Sequence, residues 1–395
     1  MSVIKTPVGD YRPTSNIFHL NEKGKIYVDP LTWCIQGKYT PHEKFIVSES
    51  EVTGQFIDIY PLTIGWIGDL HIKDTISEKI EKFFELCSKI NPSVNVIVGD
   101  IVNGSGLYND CTIENEWFVN AWNTMKEKLS NIFWTKGNHD VEPLRHYFYN
   151  WFTRLWHLPL RKFDIIGFDT YNEDKVVEGT ISACISISDL FYLNRIVSSS
   201  NKMKIIFSHH QLDEWYTFSH NILHNVKQSV INIAAHAHSL LKKQVDDIDI
   251  YVNGTMGPNC EELILSVLTL YPDGSLKNVN VKGGIEVKKT ENSIEIKTGE
   301  AVNWENETIK DTIPVRFNIK NVTLLAFVPS ESYTSIKYIL QEDGIYLEKE
   351  VDVYAIGKIS VKGLNPIDEF YCLDEAVIRS YLLKTKENLI KTNNL

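Results

Sequence analysis

The feature that most constrains this chain is a repeated arrangement in which an apolar segment is followed within four residues by aspartate, asparagine or histidine. It occurs at five places, after residues 62–67, 94–98, 132–134, 204–207 and 231–234. Short apolar runs of this kind are typical of buried strands. Between the first two, residues 77–90 carry apolar side chains at helical spacing, and Asn91-Pro92 is expected to end that helix. Alternation of strands and helices favours an α/β sheet, in which ligand-binding residues gather at the carboxyl ends of the strands.

The polar residues that follow these predicted strands are carboxylates, amides and imidazoles, all of them metal ligands or acid–base groups. They are Asp69, His71, Asp100, Asn103, Asn138, His139, Asp140, His209, His210, His236 and His238. A single histidine at a strand end is more often a hydrogen-bonded structural residue than a ligand. The joint pattern is more specific, and it predicts that the five stretches meet at one metal site.

The domain organisation is predicted from changes in the local pattern. Residues 1–60 are polar and turn-rich, and we interpret them as an extension packed on the core. Residues 61–285 contain every motif and enough strand signals for a two-layered sheet sandwich flanked by helices. Residues 286–395 alternate apolar and polar side chains between turns, which predicts a smaller, mainly-β accessory domain, closed by a helix from about Asp374 to Ile390.

Residues 144–160 are crowded with aromatic side chains. Their pattern favours an apolar helix face packed on the core, and the alternative is the wall of a substrate pocket.

Composition excludes several classes of protein. The 395 residues carry a formal net charge of −11, which disfavours electrostatic binding of nucleic acid over a broad surface. The six cysteines are scattered without a Cys-x-x-Cys pair, so neither a disulfide framework nor a structural zinc site is indicated. No secretory signal or apolar run of membrane-spanning length is visible. We therefore expect a cytoplasmic protein that does not associate with membranes.

Taken in order, the Asp-x-His, Gly-Asp, Gly-Asn-His-Asp, His-His and His-x-His stretches resemble the calcineurin-like metallophosphoesterase family. The resemblance covers about residues 62 to 285, and it implies a sandwich of β-sheets flanked by helices that binds two adjacent metals. Asp100 would bridge them. The first metal would also be held by Asp69, His71 and His238, and the second by Asn138, His209 and His236.

The resemblance also implies a mechanism. Mixed carboxylate, amide and imidazole ligands suit Mn²⁺, Fe or Zn²⁺ better than Mg²⁺ or Ca²⁺. Two such ions would clamp a phosphoryl group and lower the pKa of a bridging water from about 15.7 towards 7, giving a hydroxide that attacks phosphorus. His139, beside Asn138, is predicted to protonate the leaving oxygen or to stabilise charge on the phosphoryl group. The expected activity is hydrolysis of a phosphodiester or phosphomonoester.

Departures from the family pattern bear on the substrate. The second motif continues Asn103-Gly104 and the third ends in Asp140, which disfavours a protein serine/threonine phosphatase. Asn103 stands where many members have an aspartate that orients the catalytic histidine, here His139. Together with Asp140 and His210, it is a candidate for contact with the substrate or with a metal ligand. The alternatives are a nuclease of the same superfamily and an inert binding protein that retains the fold.

Overall fold

The computed structural model describes most of residues 61–348 and a few short strands outside them. The described residues are 61–104, 132–140, 155–159, 162–168, 201–215, 229–271, 273–319, 322–341 and 344–348, the short strands at 2–3, 18–20, 26–28, 46–47, 352–356 and 361–362, and isolated positions between 117 and 198. No helix in this part of the chain is long and apolar enough to cross a membrane.

Strands dominate the described elements. They are β1 (Ser2–Val3), β2 (Phe18–Leu20), β3 (Ile26–Val28), β4 (Ile46–Val47), β5 (Leu62–Ile67), β6 (Val94–Val98), β7 (Ile132–Thr135), β8 (Leu155–Pro159), β9 (Phe163–Phe168), β10 (Met203–Ser208), β11 (Val230–Ala234), β12 (Leu240–Val245), β13 (Ile248–Asn253), β14 (Ile264–Leu270), β15 (Leu276–Lys282), β16 (Glu286–Lys289), β17 (Ser293–Lys297), β18 (Glu300–Val302), β19 (Thr308–Ile309), β20 (Thr312–Ile319), β21 (Val322–Pro329), β22 (Tyr333–Gln341), β23 (Gly344–Glu348), β24 (Asp352–Ile356) and β25 (Val361–Lys362). Helix α1 spans Glu78–Ile90, and short 3₁₀ helices lie at Asn138–Asp140 and Leu212–Glu214.

Two mixed sheets form the centre of the fold. One has seven strands in the order β19-β18-β15-β14-β5-β6-β7, with β5, β6 and β7 parallel. The other has six strands in the order β12-β13-β11-β10-β9-β8, with β9, β10, β11 and β13 parallel. Every strand that a motif follows is one of these parallel strands, so each sheet brings its motif loops to one edge.

The two sheets pack face to face. Alternate residues of β5 (Leu62, Ile64 and Trp66) join Phe163 and Ile205 of the opposite sheet in one buried apolar cluster. The outer face of the seven-stranded sheet packs on α1 and on the C-terminal strands, and the outer face of the six-stranded sheet packs on Leu193, Ile196 and Val197. This layered arrangement confirms the predicted fold class of a β-sandwich with helices on its faces.

Local sequence signals determine helix α1. Ser77 accepts a hydrogen bond from the amide of Ile80, which caps the N-terminus, and Glu78 and Glu81 lie in the first turn. The helix ends at Asn91, which adopts a left-handed conformation with φ of 52° before Pro92. The predicted helix over 77–90 is therefore confirmed.

The C-terminal part is mainly β-structure, as predicted. Its strands form a five-stranded sheet, β16-β17-β22-β23-β25, and a three-stranded sheet, β20-β21-β24. Arg316 of β20 fixes this part to the end of α1, because its guanidinium donates to the carbonyls of Asn91 and Pro92 at 2.7 and 2.9 Å. The pair β18-β19 instead extends the seven-stranded sheet.

Several predictions have a mixed outcome. The prediction of a helix over 144–160 is wrong for residues 155–159. These residues form β8, which pairs antiparallel with β9. The rest of that segment and the predicted closing helix at 374–390 lie outside the described residues. The domain boundaries at 60 and 285 stay predictions.

Candidate metal centre

The candidate site lies where the carboxyl ends of the parallel strands from both sheets meet. Backbone hydrogen bonds join the loops directly. The amide of Asp69 donates to Gly99 O at 3.1 Å, and the amide of His71 donates to Asp100 O at 2.9 Å. Within the six-stranded sheet, the amide of Ala235 donates to His209 O at 3.0 Å. The amide of His236 crosses the sandwich to donate to Oδ2 of Asp69 at 3.0 Å, and the amide of His139 donates to Oδ1 of Asp100 at 2.8 Å. All five motif stretches therefore converge on one place.

Left-handed backbone conformations aim the side chains of this site. Asp69, His71, Asp100, His236 and His238 have φ values of 62°, 47°, 50°, 67° and 45°. Such a conformation costs an L-residue roughly 1–2 kcal/mol, so it persists only where the surrounding structure imposes it. Its concentration at five polar residues of one site is typical of functional positions.

A first cluster contains Asp69, His71, Asp100 and His238, whose candidate ligand atoms lie within 4.8 Å of one another. Nε2 of His71 and Nε2 of His238 are 3.1 Å apart. Oδ1 of Asp69 lies 3.7 Å from Nε2 of His238, and Oδ2 of Asp100 lies 3.6 Å from Nε2 of His71. Oxygen and nitrogen atoms thus point inward at a common centre.

A second cluster contains Asp100, His209 and His236. Nε2 of His209 lies 3.3 Å from Oδ2 of Asp100 and 3.2 Å from Nδ1 of His236. Oδ1 of Asn138 is 3.1 Å from the same Nε2 of His209. Asp100 therefore belongs to both clusters through one oxygen, Oδ2, which faces His71 on one side and His209 on the other.

The donor set fits divalent cations. Oδ1 of Asp69 and Oδ2 of Asp100 are buried, and neither has a hydrogen-bond partner in the described part of the protein. Their second oxygens accept from the backbone amides of His236 at 3.0 Å and His139 at 2.8 Å. A buried carboxylate oxygen without a partner is costly unless it faces a cation.

Hydrogen bonds set the ring orientation of two of the imidazoles. Nδ1 of His209 donates to Val98 O at 2.9 Å, and Nδ1 of His71 lies 3.1 Å from Oδ1 of Asn103. A proton on Nδ1 leaves Nε2 with its lone pair free, which is the form that binds a metal.

Burial and charge shift the pKa values of this site in opposite directions. Burial raises the pKa of Asp69 well above its usual range, and it lowers the pKa of His71 and of His236 to about 4. Burial also acts to raise the pKa of Asp100, but the neighbouring histidines, His209 first, bring it well below its usual range. Conversely, Asp100 outweighs burial at His209 and raises its pKa to about 10. Such opposed shifts are typical of functional sites.

Residues 62–254 match the profile of the calcineurin-like phosphoesterase family. This region belongs to that family. The match includes every candidate ligand of both clusters. No curated protein matches the chain.

Several solved structures are similar to the chain at low sequence identity. GAP50, the anchor in the inner membrane complex of Plasmodium, is 13% identical with a TM-score of 0.35, over 63% of this chain and 86% of that one. YfcE, a phosphoesterase from E. coli, is 13% identical with a TM-score of 0.30, over 55% of this chain and 98% of that one. An archaeal phosphodiesterase is 13% identical with a TM-score of 0.29, over 56% of this chain and 100% of that one.

The third motif of the phosphoesterase region lies beside the shared aspartate. The ring of His139 packs edge-on against His71, with centroids 4.8 Å apart, and its Nδ1 lies 2.5 Å from Gly104 O. Asp140 is fully buried and accepts from the amides of Val102 at 3.1 Å and Gly137 at 2.9 Å. Asp140 thus ties two motif loops together.

The side chain of Asn103 contacts a different histidine from the one that the family pattern suggests. Its Oδ1 lies 3.1 Å from Nδ1 of His71, while Nδ1 of His139 faces the carbonyl of Gly104. Asn103 therefore orients a candidate metal ligand.

His210 lies next to the second cluster. Its Nδ1 is 2.9 Å from Oγ1 of Thr170, and its ring is 4.5 Å from that of His236.

Sequence reasoning missed two residues near the site. Glu214 lies against His236, with 3.9 Å between Oε2 and Nε2. Lys79 donates from Nζ to the carbonyls of Thr255 and Cys260 at 2.5 and 2.8 Å, which holds the loop beside His238. Neither residue follows a predicted strand directly, and the acidic pair Asp213-Glu214 after the two histidines was the only signal available.

Proposed function

We propose that this protein is a dinuclear metal-dependent phosphohydrolase that cleaves a phosphodiester or a phosphomonoester other than a phosphoprotein. The observation that carries the proposal is the pair of buried, unpartnered oxygens, Oδ1 of Asp69 and Oδ2 of Asp100, each facing imidazole nitrogens at 3.3–4.0 Å. Two cations account for both oxygens, since Asp100 belongs to both clusters.

The proposed ligands follow from the two clusters. Asp69, His71, Asp100 and His238 would hold the first cation. Asp100, Asn138, His209 and His236 would hold the second. When bound, the two cations supply positive charge for the phosphoryl oxygens and activate a water for attack on phosphorus. The mixture of oxygen and nitrogen donors favours Mn²⁺, Fe or Zn²⁺.

His139 is the proposed catalytic side chain. Its backbone amide is held by Asp100, and its Nδ1 is directed to Gly104 O, so the ring is fixed at the edge of the first cluster. With Nδ1 donating to that carbonyl, Nε2 is the nitrogen that faces the substrate. In the doubly protonated imidazolium form of the ring, Nε2 delivers its proton to the leaving oxygen or donates a hydrogen bond to the phosphoryl group.

Charge supports a small anionic substrate. The whole chain is acidic, with a formal charge of −11, so attraction of a phosphoester must come from the cations themselves. A long nucleic acid needs many basic contacts along its backbone. A compact ester needs only the local field of the site.

The proposal is tested by stripping the protein with a chelator and reloading it with Mn²⁺, Fe²⁺ or Zn²⁺. The reloaded protein is then assayed on a model diester, a model monoester, cyclic nucleotides, a phosphopeptide and single-stranded DNA. Hydrolysis of the diester or monoester that depends on metal is expected. Preferential cleavage of DNA would support a nuclease instead, and tight metal binding without hydrolysis of any ester would contradict enzymatic function.

A further inference from the structure

His238 is held in place differently from the candidate ligands His71 and His209. In those two residues Nδ1 has a hydrogen-bond partner, which directs Nε2 into the site. Among the residues that the structure describes, Nδ1 of His238 has no such partner, and its side chain is 25% exposed, against 7% for His71. Contacts other than a hydrogen bond to the ring must therefore keep Nε2 of His238 directed at the first cluster.

The loop at 254–260, which follows β13, packs directly against His238. A Cβ added to Gly257 would lie 2.5 Å from Cγ of His238, so the backbone of the loop touches the imidazole ring. A Cβ added to Gly254 would lie 2.9 Å from the amide nitrogen of His238. The thiol of Cys260 donates to His238 O at 2.7 Å. This loop therefore sets the position of both the backbone and the ring of His238.

The ammonium group of Lys79 fastens the loop to helix α1. Its Nζ lies 2.5 Å from Thr255 O, 2.8 Å from Cys260 O and 3.5 Å from Gly257 O. An ammonium group has three donors, and these three carbonyls use all of them. Hydrogen bonds from a charged donor are roughly twice as strong as those between neutral groups. Lys79 thus joins the two ends of the loop and holds them against the helix.

Helix stability does not explain a lysine at position 79. This residue is the second of α1, where the partial positive charge of the helix N-terminus disfavours a cation, and the acidic residues of the same turn are Glu78 and Glu81. Lys82, by contrast, pairs with Glu78 at 2.6 Å on the exposed surface of the helix. The contact with the 254–260 loop is the favourable interaction that accounts for Lys79.

We propose that Lys79 is a positioning residue for the first cation. It holds the 254–260 loop against His238, and the loop keeps Nε2 of His238 beside Oδ1 of Asp69, at 3.7 Å. The inference rests on the proposed dinuclear function. The loop contacts that hold His238 do not involve Asn138 or His209. Loss of the Lys79 ammonium group should therefore weaken binding of the first cation and leave the second in place.

The test compares Lys79→Met with the wild type, as full-length proteins that are stripped with a chelator and titrated with Co²⁺ alone. Methionine keeps an apolar stem and removes the ammonium group. One of the two ions is expected to bind about 10–100-fold more weakly, the usual cost of losing a group that orients a ligand, and the other with wild-type affinity. Lys82→Met is the matched control on the same helix, and it should bind both ions as the wild type does.

The absorption spectrum of bound Co²⁺ identifies the weakened site. At one ion per chain, Lys79→Met should give the same spectrum as His238→Ala, because both variants keep the ion of the second cluster. Gly257→Ala approaches the ring from the loop side, since its added Cβ displaces the imidazole while Lys79 is intact. It is expected to give this spectrum too, and it serves as the second variant should Lys79→Met fail to fold.

The outcomes separate the role of Lys79 from the dinuclear proposal. Wild-type affinity for both ions in Lys79→Met, or a one-ion spectrum unlike that of His238→Ala, would overturn the role of Lys79 and leave the dinuclear proposal standing. Equal weakening of both ions, with a lower free energy of unfolding in chelator, would show a purely structural role and overturn it as well. Fewer than two ions in the wild type would contradict the dinuclear proposal itself.

Discussion

The backbone amide of His139 donates a hydrogen bond to Oδ1 of Asp100 at 2.8 Å, while Oδ2 of the same carboxylate faces His71 and His209. One aspartate thus fixes the proposed catalytic loop and belongs to both ligand clusters. Because the contact to His139 is made by its backbone, the His139 side chain can be removed without disturbing Asp100. Metal binding and proton delivery are therefore separable by mutation.

Replacing His139 by alanine is expected to lower kcat by roughly 10²–10⁴-fold, the usual contribution of a positioned acid or base. Bound metal should be unchanged. Turnover and metal content are measured on the same preparations. Loss of metal with unchanged activity per bound ion would show that His139 is a structural or ligand residue instead.

Replacing Asn103 by alanine is expected to weaken metal binding by about 10–100-fold, because the partner that orients His71 is lost. Asn103→Asp keeps an oxygen acceptor and serves as the control that should retain affinity. Titration of metal into the stripped variants measures the effect. If affinity were unchanged and kcat fell as in His139→Ala, Asn103 would act on His139, as its position in the motif predicts.

Gly137→Ala is expected to destabilise the protein by about 1–3 kcal/mol and to reduce metal binding, since a Cβ there would collide with the carboxylate and backbone amide of Asp100. Gly284→Ala is the matched control, because nothing lies within 4 Å of the added atom. Chemical denaturation of both variants measures the free energy of unfolding. Equal stability of the two variants would mean that the loop relaxes freely.

Metal binding is expected to release at least one proton per chain at pH 8. Asp100 raises the pKa of His209 to about 10, so the metal-free protein holds a proton there that the cation must displace. Apparent affinity should therefore rise with pH up to about 10. His71 and His236, with pKa values of about 4, are already neutral at pH 8. Calorimetry in two buffers of different ionisation enthalpy measures the release, and identical heats in both would contradict it.

Local sequence signals predicted the scaffold of the site well. Strand β5 runs over Leu62–Ile67, the segment identified from its apolar pattern, and α1 begins after its Ser77 cap and ends at Asn91. The convergence of motifs followed from a general property of parallel strands, whose carboxyl ends share one edge. These features depend on residues close together in the chain, which is why they can be read without a structure.

Contacts between loops could not be predicted in the same way. Asn103 faces His71 because left-handed turns at Asp69, His71 and Asp100 redirect their side chains, and no periodic pattern encodes such turns. Likewise, Glu214 reaches His236 only because a 3₁₀ turn follows the histidine pair. The pairing of β18 with β15 is a sheet contact that the change in pattern near residue 285 did not reveal.

The central claim is that Asp100 bridges two cations. The most direct measurement is an anomalous-scattering map from crystals of the metal-loaded protein. Two peaks are predicted on either side of Oδ2 of Asp100, one bounded by Asp69, His71 and His238 and the other by Asn138, His209 and His236. A single peak at Asp100, or peaks that lie out of reach of its carboxylate, would contradict the account.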